Sequence, residues 1–123
     1  MKVKICGMTR EKDIASALAA GVDFLGFNFI KQSPRYVNFE WSIDMAKKYH
    51  LDRKFVSLFN SAEEKKIKKL EQILPESVLQ YYGDLPFLTT LSRFYPVNAT
   101  LLKQHNPDPV SYTHLTLPTR RGG

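Results

Sequence analysis

The stretch DFLGFNFI, residues 23–30, is nearly continuous in apolar residues. Such a run predicts a strand that is covered on both faces, because a half-exposed strand would alternate apolar with polar residues. Strands covered on both faces are typical of parallel sheets, in which a helix usually connects one strand to the next. The stretch therefore predicts an α/β fold with helices on either side of it in the chain.

Strand and helix patterns alternate in both directions from this stretch. Before it, Val3 and Ile5 alternate with lysines and end at Cys6, which is typical of a short strand. Apolar positions then recur at three and four residues, as on one face of a helix. The predicted strands are 3–6, 23–30, 54–60 and 77–83, and the predicted helices are 11–20, 42–49, one ending near 74, and 87–95.

Cap and stop residues are expected at the ends of these helices. Thr9 is the expected N-cap of the first helix, and Gly21 is its expected stop. Ser61 is followed three residues later by Glu64, which is a capping-box signature for the third helix. A fifth strand is expected near 99–103.

This alternation favours a parallel sheet with right-handed crossovers. The residues alone leave open whether the sheet is an open, doubly wound one or part of a (β/α)8 barrel. In both folds, ligands bind at the carboxyl ends of the strands. Cys6, Arg35, and the pair Gly83 and Asp84 all follow predicted strands, and they are therefore the candidate site residues.

Composition narrows the possible functions. The chain has 123 residues, of which 43% are hydrophobic and 24% charged, as expected for one domain at most. Its single cysteine forms no internal disulfide and no metal site by itself, and it suits a reducing cytoplasm. No stretch reaches the ~18 apolar residues that a membrane helix needs, and no secretory signal begins the chain. The net charge of +6 suits an anionic small molecule better than nucleic acid.

A lysine-rich segment, EEKKIKKLEQ at 63–72, raises the possibility of nucleic-acid binding. On a helix these lysines flank the apolar stripe and are interleaved with glutamates, which is typical of a solvated outer face. The three histidines show no metal-ligand spacing. We therefore expect no nucleic-acid partner and no metal.

Four motifs together resemble phosphoribosylanthranilate isomerase, a (β/α)8 barrel enzyme of tryptophan biosynthesis. They are KICGMT at 4–9, GVDFLGFNF at 21–29, SPRYV at 33–37 and LQYYGD at 79–84. The resemblance is good over about residues 1–84 and loose over 85–105. It implies an Amadori rearrangement of N-(5-phosphoribosyl)anthranilate to 1-(2-carboxyphenylamino)-1-deoxyribulose 5-phosphate, without a metal or an organic cofactor.

The resemblance also implies roles for single residues. It makes Cys6 the general base at the sugar C2 proton and Arg35 the partner of the anthranilate carboxylate. An isolated buried cysteine is otherwise a small core residue, and an isolated loop arginine a solvated charge. The resemblance places Gly83 and Asp84 beside the substrate, although Gly-Asp is also ordinary turn chemistry. The family usually has a histidine where this chain has Tyr82.

Length gives the expected extent of the domain. A (β/α)8 barrel needs at least ~200 residues, so four strand and helix units predict an amino-terminal half-barrel at 1–108. Residues 109–123 break the pattern and resemble translated sequencing adapter, which predicts a foreign tail. The family's general acid and its phosphate loops are not expected within the chain. Without them the chain is predicted to be inactive alone. A half-barrel would leave the first strand, 2–6, as a sheet edge, which predicts a chain that either self-associates or behaves as a loosely packed monomer.

A second function of another class also fits the residues. A non-catalytic α/β module that binds phosphorylated or anionic ligands would show the same strand ends and the same positive charge. The two hypotheses differ in whether the Cys6 thiol takes part in turnover.

Overall fold

A computed structural model describes residues 2–60, 63–81, 93–97 and 113–116. Within these ranges, strands and helices alternate up to the fourth strand, as the sequence predicts. The elements are β1 (Val3–Cys6), α1 (Glu11–Ala19), β2 (Phe24–Asn28), α2 (Phe39–Lys48), β3 (Phe55–Phe59), α3 (Glu64–Ile73), β4 (Val78–Tyr81), β5 (Arg93–Pro96) and β6 (Thr113–Thr116).

The described strands form one sheet in the order β5-β4-β3-β2-β1-β6. The four strands β1 to β4 are parallel neighbours, which confirms the α/β class. The outer strand β5 is antiparallel to β4 and therefore departs from the expected all-parallel sheet. Residues 93–95, predicted as the end of a helix, lie in this strand, because the aromatic pair in RFYP suits an extended backbone. Residues 87–92 and 99–103 lie outside the described ranges.

The first strand is not a sheet edge, which corrects the expectation from the sequence. β1 lies between β2 and β6, and its Val3–Cys6 pair in parallel register with Thr113–Thr116. In the described sheet the edges are β5 and β6. Four residues of the 109–123 segment thus pair with the sheet, while the foreign origin of that segment stays a prediction.

The two faces of the sheet have different neighbours. On one, called the helix face, the strands pack against all three helices through Leu25, Phe27, Phe29, Phe55, Phe59 and Leu79, with Ile14, Ile43, Ala46, Ile67 and Leu70 from the helices. A second buried cluster contains only strand residues. Because side chains alternate along a strand, Lys4 and Gln80 share the face of this second cluster. This inner face comprises Lys4, Cys6, Phe24, Val56, Leu58, Val78 and Gln80.

Helix ends were predicted less well than helix positions. The N-cap of α1 is Arg10 and not Thr9, whereas Gly21 has a φ of +79° just after the helix, as a stop residue should. The α2 helix begins at Phe39, earlier than predicted, because the Asn38 side chain accepts a hydrogen bond from the Trp41 N–H. The N-cap of α3 is Glu63, so the capping-box prediction for this helix was wrong.

Candidate active site

Cys6 is the last residue of β1, at the carboxyl edge of the sheet where the sequence placed it. Its side chain is buried on the inner face and is 8% exposed. The neighbouring strand makes room for it with a glycine, because a Cβ atom on Gly26 would lie 2.9 Å from the Cys6 Sγ and 3.0 Å from its Cα. The absence of a side chain on Gly26, which lies beside Cys6 on β2, therefore leaves the space that the thiol occupies.

Lys4 and Gln80 form a buried polar pair on the same face. The Lys4 Nζ donates a hydrogen bond of 2.5 Å to the Gln80 Oε1, and both side chains are almost fully buried. β1 and β4 are separated by two strands, which in a flat sheet would place them roughly 14 Å apart. A direct bond between their side chains therefore requires a sheet that curves around the inner face, as a barrel wall does.

Lys4 shares the inner face with the thiol of Cys6. The two residues are two apart on one strand, so their side chains point the same way. Burial lowers the pKa of Lys4 below its ordinary value, and the charge and hydrogen bond of the Cys6 sulfur oppose that shift. Lys4 was given no role on the basis of the sequence. The available signal was its place two residues before Cys6 on a predicted strand, which puts both side chains on one face.

Gly7 follows Cys6 in the chain and is in contact with Arg35. Its φ of +86° turns the chain out of β1, in a region where residues with a side chain are strained. The Arg35 Nη1 donates to the Gly7 carbonyl oxygen at 3.4 Å. A Cβ atom on Gly7 would lie 2.5 Å from the Arg35 Cδ. The structure thus brings Arg35, one of the two principal candidates from the sequence, against the glycine that directly follows the other, Cys6.

The loop that carries Arg35 is held by Asn28 at the end of β2. The Asn28 side chain accepts a hydrogen bond from the Ile30 N–H at 2.8 Å and donates one to the Ser33 Oγ at 3.2 Å. That Oγ accepts a hydrogen bond from the Arg35 N–H at 3.1 Å. The role of Asn28 was not predicted, although it is a single polar residue in an apolar strand.

Several predictions concern residues elsewhere. Gly83 and Asp84, with Tyr82, lie outside the described residues.

An open groove of about 340 Å³ lies at the carboxyl ends of β2 and β3, and it is lined by Phe29, Lys31, Gln32, Asn60 and Glu63. Among the described residues there is no cluster of three metal-ligating side chains. No helix in the described ranges is both long and apolar enough to span a bilayer.

The sequence is similar to N-(5'-phosphoribosyl)anthranilate isomerases. It is 39% identical over 83 residues to the isomerase of Dechloromonas aromatica and 35% identical over 83 residues to that of Leptothrix cholodnii. Each match takes in 68% of this chain, and they cover 40% and 38% of the two relatives. The chain therefore spans about two fifths of the length of the curated relatives it matches. No family model matches it.

Solved structures give the same result for the fold. The phosphoribosyl anthranilate isomerase of Thermotoga maritima has a TM-score of 0.59 at 28% identity, over 70% of this chain and 42% of that one. The isomerase of Thermus thermophilus has a TM-score of 0.57 at 30% identity, over 70% of this chain and 43% of that one. A structure of the isomerase in complex with reduced 1-(o-carboxyphenylamino)-1-deoxyribulose 5-phosphate also matches, with a TM-score of 0.59.

Proposed function

We propose that this relative of the phosphoribosylanthranilate isomerases forms the amino-terminal part of such an enzyme, and that it carries the general base and the carboxylate clamp. The observation that supports this most directly is the arrangement around Gly7. The buried Cys6 immediately precedes this glycine, and the Arg35 guanidinium donates a hydrogen bond to its carbonyl oxygen. The proposed substrate is a phosphorylated small molecule, N-(5-phosphoribosyl)anthranilate.

In the proposed reaction, Cys6 acts on the ring-opened imine of the substrate. The ionised sulfur takes the proton from the sugar C2, and the electron pair of that C–H bond forms a C1=C2 double bond. The π electrons of the protonated imine move to its nitrogen, so the product of this step is an enol-amine and a neutral thiol. A base buried in a largely apolar face suits this step, because water is kept from the reacting carbon.

The base assignment is tested in a protein in which this chain is joined to the carboxyl-terminal half of a relative. Turnover is followed as loss of substrate fluorescence. Cys6→Ala should lower kcat by ~10²-fold or more, the usual size of general-base catalysis. The exposed Lys12→Ala on α1 is the control and should leave the rate unchanged. Turnover within about twofold after Cys6→Ala would show that Cys6 is not the base. That result would favour the module that binds anionic ligands without catalysis.

The Arg35 assignment has a separate test in the same joined protein. Its guanidinium can hold a carboxylate through two parallel hydrogen bonds, which a lysine ammonium cannot reproduce. Arg35→Lys should weaken transition-state binding by about 1.5 to 3 kcal/mol. The same substitution should weaken the binding of a substrate analogue without the carboxylate much less. Equal losses for both ligands would mean that Arg35 has another role.

The proposal extends to the remaining predictions about the chain. Gly83 and Asp84 are proposed to contact the substrate from the end of β4. The isolated chain, 1–123, is proposed to be inactive, since a closed barrel and its phosphate loops need at least ~200 residues. Any self-association should involve the edges β5 and β6 and not β1. We propose a cytoplasmic location, because reducing conditions keep a catalytic thiol free.

A further inference from the structure

We propose that Lys4 is a positioning residue that stabilises the ionised sulfur of Cys6, and that Gln80 holds its ammonium in place. The inference deepens the proposed function and rests on it for its catalytic meaning. The contact itself is independent of turnover. It concerns a lysine that neither the motifs nor the names of the relatives assign to the site.

The geometry of the inner face supports this role. Lys4 and Cys6 point to the same side of β1, and both are buried there. The Lys4 Nζ donates a hydrogen bond to the Gln80 Oε1 on β4, which is separated from β1 by two strands of the curved sheet. An ammonium held by Gln80 on the face that also carries Cys6 has little freedom to turn away from that face.

The identity of the partner on β4 matters for the charge. Gln80 accepts a hydrogen bond but carries no charge, so it fixes the ammonium without neutralising it. Within the bounds of β1 to β4, Lys4 and Cys6 are the titratable side chains of the inner face, and Phe24, Val56, Leu58 and Val78 are apolar. Lys2 precedes β1, and its Nζ lies 5.9 Å from the centre of the Phe24 ring. Within β1 to β4, Cys6 is therefore the titratable side chain that shares the inner face with the Lys4 ammonium.

A purely structural role for Lys4 would have different consequences. A buried lysine that only fills space and bonds to Gln80 would affect the access of reagents to Cys6, and that effect would be similar at every pH. A lysine that stabilises the ionised sulfur affects how much of the reactive form is present, because only the thiolate is nucleophilic. Such an effect is larger near neutral pH than at a pH at which an ordinary cysteine is already ionised.

The experiment measures alkylation of the native chain by iodoacetamide, which is uncharged. Cys6 is the chain's one cysteine, so the reaction reports on that sulfur alone. We expect Lys4→Met to slow alkylation about tenfold at about pH 7 and much less at about pH 10. Lys4→Arg keeps the charge and should restore much of the rate. The exposed Lys12→Met is the control and should react as the unaltered chain does.

Gln80→Met provides a second variant that leaves Lys4 and Cys6 unchanged. It removes the acceptor while keeping the length of the side chain, so the ammonium is less well fixed and alkylation should slow about threefold at about pH 7. Circular dichroism shows whether each variant is folded, and if Lys4→Met is not, Gln80→Met decides. An unchanged rate, or a loss by the same factor at both pH values, would overturn the inference.

The two proposals fail separately. If Lys4→Met slows alkylation as expected but Cys6→Ala leaves turnover intact, the contact is real and the proposed function is wrong. If Cys6→Ala abolishes turnover but alkylation does not depend on Lys4, the base assignment stands and Lys4 has no part in it.

Discussion

The helix face and the inner face of the sheet are both buried, yet they contain different chemistry. The helix face is built from aromatic and aliphatic side chains, and the Phe27 and Phe55 rings stack with their centres 4.5 Å apart. The inner face has a thiol, an ammonium and an amide among four apolar side chains. Burying an ammonium costs free energy that burying a phenylalanine does not. The difference indicates that the helix face supplies stability and that the inner face gives up some of it for chemistry.

The largest effect should come from the helix face. Phe55 is fully buried and contacts both Phe27 and Phe29. Phe55→Ala should lower the free energy of unfolding by about 3 to 5 kcal/mol, because it leaves a cavity among packed rings. Urea titration followed by circular dichroism measures this. Tyr36→Ala, at a side chain that is 39% exposed, is the control and should cost far less. A loss below about 1 kcal/mol for Phe55 would mean that the helix face is not the main source of stability.

Two glycines allow a finer comparison between the candidate site, where Gly7 lies, and the end of α1, where Gly21 lies. Gly7 and Gly21 both have positive φ, so alanine is strained at either position, by about 1 to 2 kcal/mol. Nothing lies within 4 Å of a Cβ on Gly21, whereas one on Gly7 would meet the Arg35 side chain. We expect similar losses of stability from Gly7→Ala and Gly21→Ala in urea titrations. Only the Gly7 change should move Arg35.

The second half of that prediction concerns binding. In the joined protein, Gly7→Ala should raise the KM for the carboxylate-bearing substrate, and Gly21→Ala should leave it unchanged. Equal KM values for the two variants would show that the contact between Gly7 and Arg35 does not position the clamp.

The free energy of unfolding that is lost by burying Lys4 on the inner face should depend on pH. The folded-state pKa of Lys4 lies below its unfolded value of 10.5, because burial disfavours the charged form. Between these two values the unfolded chain binds more protons than the folded one, so stability rises with pH. Replacing Lys4 and Gln80 together by methionine should stabilise the chain by about 1 kcal/mol near neutral pH. That gain should shrink as the pH approaches 10.5. Urea midpoints measured across this range test it, and a gain that does not change with pH would contradict it.

Much of the fold was predictable because periodicity reflects burial. A continuous apolar run predicted β2, and the stripe of Ile67 and Leu70 predicted α3. Segment ends were harder. The Asn38 cap was missed, since a cap depends on one side chain and one N–H. The β5 strand was predicted as a helix because local spacing does not show that residues 93–96 pair with β4.

The site was predictable only in part, for a related reason. Cys6 and Arg35 were found because short motifs carry them. Lys4 and Gln80 are 76 residues apart and meet only because the sheet curves, a property that no local pattern contains. Asn28 acts through hydrogen bonds to a loop whose shape was unknown beforehand. Contacts between distant residues thus explain why Lys4, Gln80 and β5 were missed, whereas the roles of Asn28 and Asn38 depend on hydrogen bonds of single side chains within a loop or at a helix end.

The smallest effect should come from an ion pair on the outer surface, between α1 and α2. The Glu11 Oε2 accepts hydrogen bonds from the Lys48 Nζ and the Tyr49 hydroxyl, and these lower the pKa of Glu11 below 4.5. The stabilisation is present above this value and is lost as pH falls through the lowered folded-state pKa. Because both charged side chains are well exposed, Glu11→Gln should destabilise the chain less than any change above.

The measurement is the difference in urea midpoint between the unaltered chain and Glu11→Gln, followed from about pH 7 to about pH 3. The difference should be positive near neutral pH, should close in acid, and should fall in high salt as surface charges are screened. Asp44→Asn, at an exposed position of α2, is the control. A loss of stability from Glu11→Gln as large as that from Phe55→Ala would contradict this comparison. It would mean that a surface ion pair stabilises the helix layer as much as the packing of its buried rings does.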